Sequence, residues 1–167
     1  MGGGEKFLKT ELNRVNTSAA GSRFAVVTSR WNDRLTSSLN RGAAEALAEA
    51  GADGVAHYGV PGAFELPLAA LTAARSRRYD AVIALGVVIR GDTPHFDYVA
   101  GESARGIMTA SLETGVPVMF GVITADTLEQ AEARSGNDEF NKGREAALSA
   151  IEMVSLMNEL AELAVNG

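Results

Sequence analysis

From residue 23 onward the chain alternates between short apolar runs and longer stretches in which apolar residues recur at helical spacing. The run FAVVTS at 24–29 has the length and composition of a buried strand. Residues 34–50 place Leu35, Leu39, Ala43, Ala46, Leu47 and Ala50 on one helical face and stop at Gly51, a residue suited to the turn that ends a helix. Residues 55–60 predict a second strand, closed by Pro61-Gly62. Residues 64–76 predict a second helix with Pro67 in its first turn, where proline is tolerated. AVIALGVVI at 81–89 is the strongest strand signal, and Gly91-Asp92-Thr93-Pro94 breaks it. A third helix over 96–113, a fourth strand over 116–123 and a short helix over 127–134 with Asp126 as N-cap follow. A polar loop over 135–141 and a long helix over 142–163 complete the order β-α-β-α-β-α-β-α-α.

Apolar strands separated by helices imply a parallel sheet covered on both faces. Residues 23–167 form one domain, with no internal repeat or low-complexity block. Residues 1–22 read as a polar arm, either a free tail or a strand that pairs with something else.

Composition narrows the class. With 167 residues, 46% of them hydrophobic, the chain suffices for one domain with a real core. Lys and Arg number 15 against 21 Asp and Glu, a net charge of −6 with no basic run, so nucleic acid and membrane surfaces are poor partners. Cysteine is absent, which excludes disulfides, thiolate metal sites and cysteine nucleophiles. The two histidines, His57 and His95, are too few for a multi-histidine metal centre. There is no apolar run of about 18 residues to span a membrane and no apolar signal core at the N-terminus, so the expectation is a cytoplasmic protein. A Gly-x-Gly-x-x-Gly after the first strand, a P-loop and a nucleophile elbow are all missing, which weighs against nucleotide cofactors and serine hydrolases.

In parallel sheets, ligands bind beyond the carboxyl ends of the strands. After strand 1 stands Trp31, the only tryptophan, followed by Asn32. A flat ring there either stacks on a planar heterocycle or covers the sheet edge. After strand 2, Gly62 and Ala63 can open a helix with free N–H groups. Glu65 either accepts hydrogen bonds from ligand hydroxyls or answers the helix dipole. After strand 3, Gly91, Asp92 and Thr93 can present N–H groups to an anion, and His95 stands at the same helix start, able to exchange protons. Phe120 on strand 4 reads by itself as core. Arg134 and Lys142 flank the polar loop, and by themselves read as solvated cations.

Together these segments resemble the lumazine synthase family (6,7-dimethyl-8-ribityllumazine synthase). The likeness rests on Ser29-Arg30-Trp31-Asn32, VPGAFELP (60–67), ALGVVIRGDTPHFDYVA (84–100), GVPVMFGVIT (115–124) and Asn141-Lys142-Gly143, and it covers roughly 23–160. The resemblance implies a flavodoxin-like three-layer α/β/α sandwich around a four-stranded parallel sheet. It also implies an N-terminal strand, here within 5–17, that pairs with a neighbouring subunit. The implied reaction joins 5-amino-6-(D-ribitylamino)uracil to 3,4-dihydroxy-2-butanone 4-phosphate, the penultimate step of riboflavin synthesis. No metal or organic cofactor is implied. Both substrates are already reactive, so orientation and proton transfer are the main tasks. The implied assembly is a homopentamer, in some relatives built into sixty-subunit shells, with riboflavin synthase as a candidate partner.

Carried over by motif, the resemblance implies that His95 is the general acid/base. Asp92 and Thr93 hold the phosphate, Arg134 adds a charge-assisted contact, and Lys142 is a second cation there. Trp31 stacks on the pyrimidine beside Asn32, where many relatives have Phe in place of Trp. Ala63, Phe64 and Glu65 contact the ring and ribityl chain. Val87, Val88 and Ile89 line the pyrimidine pocket, and Phe120 comes from the adjacent subunit. One departure stands out. Shell-forming relatives often carry a Gly-Thr-Lys-x-Gly turn, whereas 136–140 reads Gly-Asn-Asp-Glu-Phe, with a glycine lost and two acids gained. That weighs against a shell and leaves the catalytic set intact. The competing readings are a non-catalytic riboflavin- or lumazine-binding protein, a shell-forming carrier, and the related archaeal type of riboflavin synthase. The first is opposed by retention of both His95 and Arg134, the second by the complete pocket, and the third by the GDTPHFDYV stretch.

Overall fold

The four predicted strands pair in one parallel sheet of order β2-β1-β3-β4, in a computed structural model that describes residues 15–165. They are β1 (Arg23–Ser29), β2 (Gly54–Val60), β3 (Ala81–Ile89) and β4 (Val118–Ala125). The first crossover places β2 on one side of β1 and the second places β3 on the other, so the direction of winding reverses between β1 and β3. In such sheets the reversal opens a crevice at the strands' carboxyl ends.

Helices α1 (Asp33–Glu49) and α5 (Lys142–Val165) cover one face; α2 (Leu66–Arg75) and α3 (His95–Thr114) cover the other. The short α4 (Leu128–Arg134) follows β4. Side chains of a strand alternate between faces. Phe24 and Val26 therefore join Leu39, Leu47, Ile83 and Ile151 in one core. Ala25 and Val27 join Leu66, Ala70, Val82 and Ile107 in the other. Each large apolar side chain buried this way stabilises the fold by roughly 1.5–3 kcal/mol.

The abundant small residues set how closely the layers approach. A Cβ on Gly143, in the first turn of α5, would overlap the backbone carbonyl of Leu39 in α1. A Cβ on Gly106 of α3 would come within 2.6 Å of the Pro67 side chain of α2. The helix pair on each face is thus seated by a glycine.

Several boundaries differ from the sequence expectation. The fourth strand starts at Val118 and runs to Ala125, because Pro117 has no N–H to give the ladder and enters it only through its carbonyl, which accepts from Val82 N at 2.9 Å. The second helix is preceded by a single 3-10 turn, Ala63–Glu65. Thr127, not Asp126, caps α4: its hydroxyl accepts from Gln130 N at 3.2 Å, while the Gln130 side chain reaches back to Thr127 N at 3.3 Å. Within the arm expected over 1–22, Ala19 is buried and its N–H donates to Ala50 O at 2.8 Å, so the packed domain already includes it. The strand expected within 5–17 lies almost wholly outside the described residues.

Candidate active site

A cleft of about 590 Å³ opens at the crevice between the ends of β1 and β3. From the β1 end it takes Trp31 and Asn32. Trp31 stands 74% exposed. Asn32 adopts the left-handed conformation (φ 62°), one that asparagine tolerates better than most residues. From there its Nδ2 donates to Val87 O at 3.1 Å, tying the end of β1 to that of β3 across the crevice.

The segment after β2 supplies Ala63, Phe64 and Glu65. Gly62 N donates to Glu65 Oε2 at 2.9 Å, so the carboxylate closes its own turn. The other carboxylate oxygen has no protein partner among the described residues. One oxygen thus organises the local turn, and the residue lines the cleft. Val87, Val88 and Ile89 form the floor at the end of β3.

The segment after β3 forms the far wall. Gly91, Thr93 and His95 line the cleft, whereas Asp92 does not, although it sits between two lining residues. His95 N donates to Thr93 Oγ1 at 3.5 Å and Asp97 N to Pro94 O at 3.0 Å, so the first turn of α3 is closed in part by the turn before it. The His95 imidazole is exposed and lies at the start of α3. Phe96, Tyr98 and Val99 also line the cleft, and sequence reasoning had not singled them out as site residues. The signal for Tyr98 and Val99 is helical spacing, since 95, 98 and 99 share one face of α3; no such spacing marks Phe96.

Arg134, Lys142 and Phe120 are elsewhere. They line a second depression of about 330 Å³, on β4 and the helices beside it, and no residue lines both hollows. Phe120 is 46% exposed, which corrects its reading as core: β4 is an edge strand, and this side chain projects from it. The Arg134 guanidinium donates to Gln130 O at 2.8 Å, one turn back on its own helix. Lys142 Nζ pairs with Glu145 at 2.6 Å. One chain thus carries two parts of the expected site, separated from each other: a ring-and-imidazole part and a cation-and-phenyl part.

His57 lies apart from both, exposed on β2, with its Nδ1 3.2 Å from Asn40 Nδ2. Among the described residues no three His, Cys, Asp or Glu side chains gather into a group able to hold a metal ion, and no helix is long and apolar enough to cross a membrane.

Residues 21–158 match the family model described as 6,7-dimethyl-8-ribityllumazine synthase. The chain is 54% identical over 144 residues to the protein of that name from Syntrophus aciditrophicus, covering 85% of this chain and 94% of the relative. It is 50% identical over 147 residues to the one from Chloroherpeton thalassium, covering 87% and 95% respectively. It is 52% identical over 145 residues to the one from Chlorobium chlorochromatii, covering 86% and 94%.

Proposed function

The chain belongs to the 6,7-dimethyl-8-ribityllumazine synthase family, and on that premise we propose how its residues divide the work of the reaction. The protein is a transferase of riboflavin biosynthesis. It condenses 5-amino-6-(D-ribitylamino)uracil with 3,4-dihydroxy-2-butanone 4-phosphate to give 6,7-dimethyl-8-ribityllumazine, phosphate and water.

The observation that carries the assignment of roles is the cleft at the winding reversal, which gathers a flat ring, a carboxylate, strand-end backbone and an imidazole. Trp31 stacks on the pyrimidine. Val87, Val88 and Ile89 offer backbone groups to its edge, with Asn32 holding the two strand ends together. Ala63 and Phe64 border the ribityl chain, and Glu65 accepts from its hydroxyls. The backbone N–H groups of the turn Gly91-Asp92-Thr93, with the Thr93 hydroxyl, receive the phosphate.

The 5-amino group attacks the ketone carbon, forming a C–N bond and releasing water. Loss of the proton at the hydroxyl-bearing carbon then expels phosphate from the next carbon and leaves an enol. The enol takes a proton on its terminal carbon to become a ketone, and the ribitylamino nitrogen closes the ring on that new carbonyl, releasing a second water. His95 stands where these protons move, beside the phosphate end, and acts as general acid/base.

The cation-and-phenyl part belongs to the site of a neighbouring copy. Phe120, Arg134 and Lys142 of one subunit complete the cleft of the next: the phenyl ring faces the pyrimidine side and the cations face the phosphate. The supporting observation is that these three side chains share one depression that the cleft residues do not reach. The exposed Phe64, Leu68, Tyr98, Met108 and Leu112 give the α2–α3 layer an apolar surface suited to such contact. The assembly is a homopentamer. The turn at 136–140 opposes further growth to a shell. Asp138 accepts from Phe140 N at 3.0 Å, and Glu139 has no hydrogen-bond or ion-pair partner among the described residues, so each copy brings two acidic side chains to that turn. Cytoplasmic location and association with riboflavin synthase, which consumes the product, belong to the same proposal.

Incubation of the purified chain with both substrates, followed by lumazine fluorescence, tests the reading. Product is expected with the wild type and much slower with His95→Ala. Equal rates for the two would overturn the role given to His95.

A further inference from the structure

Arg90 follows directly on β3, next to the anion-receiving turn, where a free guanidinium would be expected to meet a phosphate. The structure turns it elsewhere. Its Nε donates to Asp126 Oδ1 at 2.8 Å, and its terminal nitrogen reaches Asp97 Oδ1 at 3.3 Å. The guanidinium carbon lies 4.3 Å from the centroid of the Phe96 ring, a cation–π distance. Its own N–H donates to Ala125 O at 2.9 Å, extending the β3–β4 ladder by one bond. The hydrogen bond to Asp126, helped by the charge of Asp97, holds the guanidinium above its ordinary pKa.

These contacts link two segments that both bear on the chemistry. Asp97 and Phe96 are in the first turn of α3, which His95 opens. Asp126 directly precedes Thr127, the cap of the helix that ends in Arg134. Three contacts in two planes fix a side chain far better than one exposed ion pair, which alone contributes little. A lysine could not reproduce them, since it has neither the fork nor the flat face.

We propose that Arg90 is a positioning residue for the condensation: held between Asp97 and Asp126 and laid on Phe96, it fixes the turn that carries Thr93 and His95. The proposal rests on the role given to His95 above. Arg90 also neutralises two carboxylates that stand close to the phosphate-receiving turn. Its removal therefore acts in two separable ways. Loss of the fork lets the His95 turn drift, which lowers kcat. The exposed negative charges repel the phosphate, which raises KM for the butanone phosphate and leaves the pyrimidine little affected.

The test uses Arg90→Met, Arg90→Lys and the double variant Asp97→Asn/Asp126→Asn in the full chain. Steady-state kinetics are measured for each substrate, and amide hydrogen exchange over 91–97 is followed in parallel. Arg90→Met is expected to lose about 10- to 100-fold in kcat, as for a misplaced catalytic group, and to raise KM selectively for the phosphate substrate. Arg90→Lys is expected to restore that KM but little of kcat. The double variant removes the partners without leaving excess negative charge, so it should lower kcat with no rise in that KM; it also replaces Arg90→Met as the test should the latter not fold. Exchange over 91–97 should rise in both. Wild-type kcat with unchanged exchange in a folded Arg90→Met, or equal changes in both KM values, would overturn the proposal. An inert His95→Ala substitution would instead remove the role of His95, and the exchange readout would still report whether Arg90 fixes the turn.

Discussion

Trp31→Ala separates a binding role from a packing role with a single substitution. The residue is 74% exposed and makes no hydrogen bond through its indole N–H among the described residues. Truncation therefore removes little packed area, and the cost to folding should stay within about 0.5 kcal/mol, as at other surface positions. The stacking lost from a heterocyclic base on an aromatic side chain is roughly 1–3 kcal/mol. That corresponds to about a 5- to 150-fold weaker hold on the pyrimidine. The two effects differ enough to be read apart. Calorimetric titration with the pyrimidine gives the Kd, and thermal unfolding gives the stability. We expect a large rise in Kd, a nearly unchanged Tm, and a KM for the butanone phosphate that moves much less. Trp31→Phe should recover most of the affinity, since a smaller ring still stacks. A lowered Tm with unchanged pyrimidine affinity would refute the reasoning and make Trp31 a structural cover.

Other expectations follow from the same geometry. His95→Ala should lower kcat toward the low end of the roughly 10²–10⁴-fold typical of positioned proton transfer, because both substrates react slowly unaided; single-turnover fluorescence reads it. Arg134→Ala should raise KM for the butanone phosphate by about 10- to 150-fold, from the roughly 1.5–3 kcal/mol of a charge-assisted contact, and equal effects on both substrates would make it structural. Gly143→Ala should destabilise the fold by about 1–3 kcal/mol or more, since its methyl group would meet the Leu39 backbone rather than a movable side chain; denaturant unfolding reads this, and wild-type stability would mean that α1 and α5 can separate freely. Glu49 is held below its ordinary pKa by its hydrogen bond from Arg144. Its contribution is present above the unfolded carboxyl's pKa and fades as pH falls through the folded value, so Glu49→Gln should differ least from wild type in acid.

The strands were legible because burial on both faces demands continuous apolar runs, and 81–89 is such a run. Their order was not, since periodicity does not say which strand neighbours which. Asp126 read as a helix cap because its side chain suits one, but Thr127 with Gln130 makes the reciprocal cap and leaves Asp126 for Arg90. Phe120 read as core because an edge strand and a central strand share the same local pattern. The cleft residues after β1, β2 and β3 were legible from the strand-end rule together with the family motifs. Arg90 was not, because its partners lie 7 and 36 residues away, and only folding brings them to one side chain.

The central claim is that one working site draws its imidazole from one copy and its guanidinium from another. Co-assembly of His95→Ala chains with Arg134→Ala chains tests it directly. In a closed ring with one shared site per interface, random mixing of equal amounts leaves about a quarter of the interfaces with both groups intact. The account predicts that denatured, mixed and refolded chains reach about a quarter of wild-type activity at low butanone phosphate, well above either parent refolded alone. Activity no higher than the average of the two parents would contradict it.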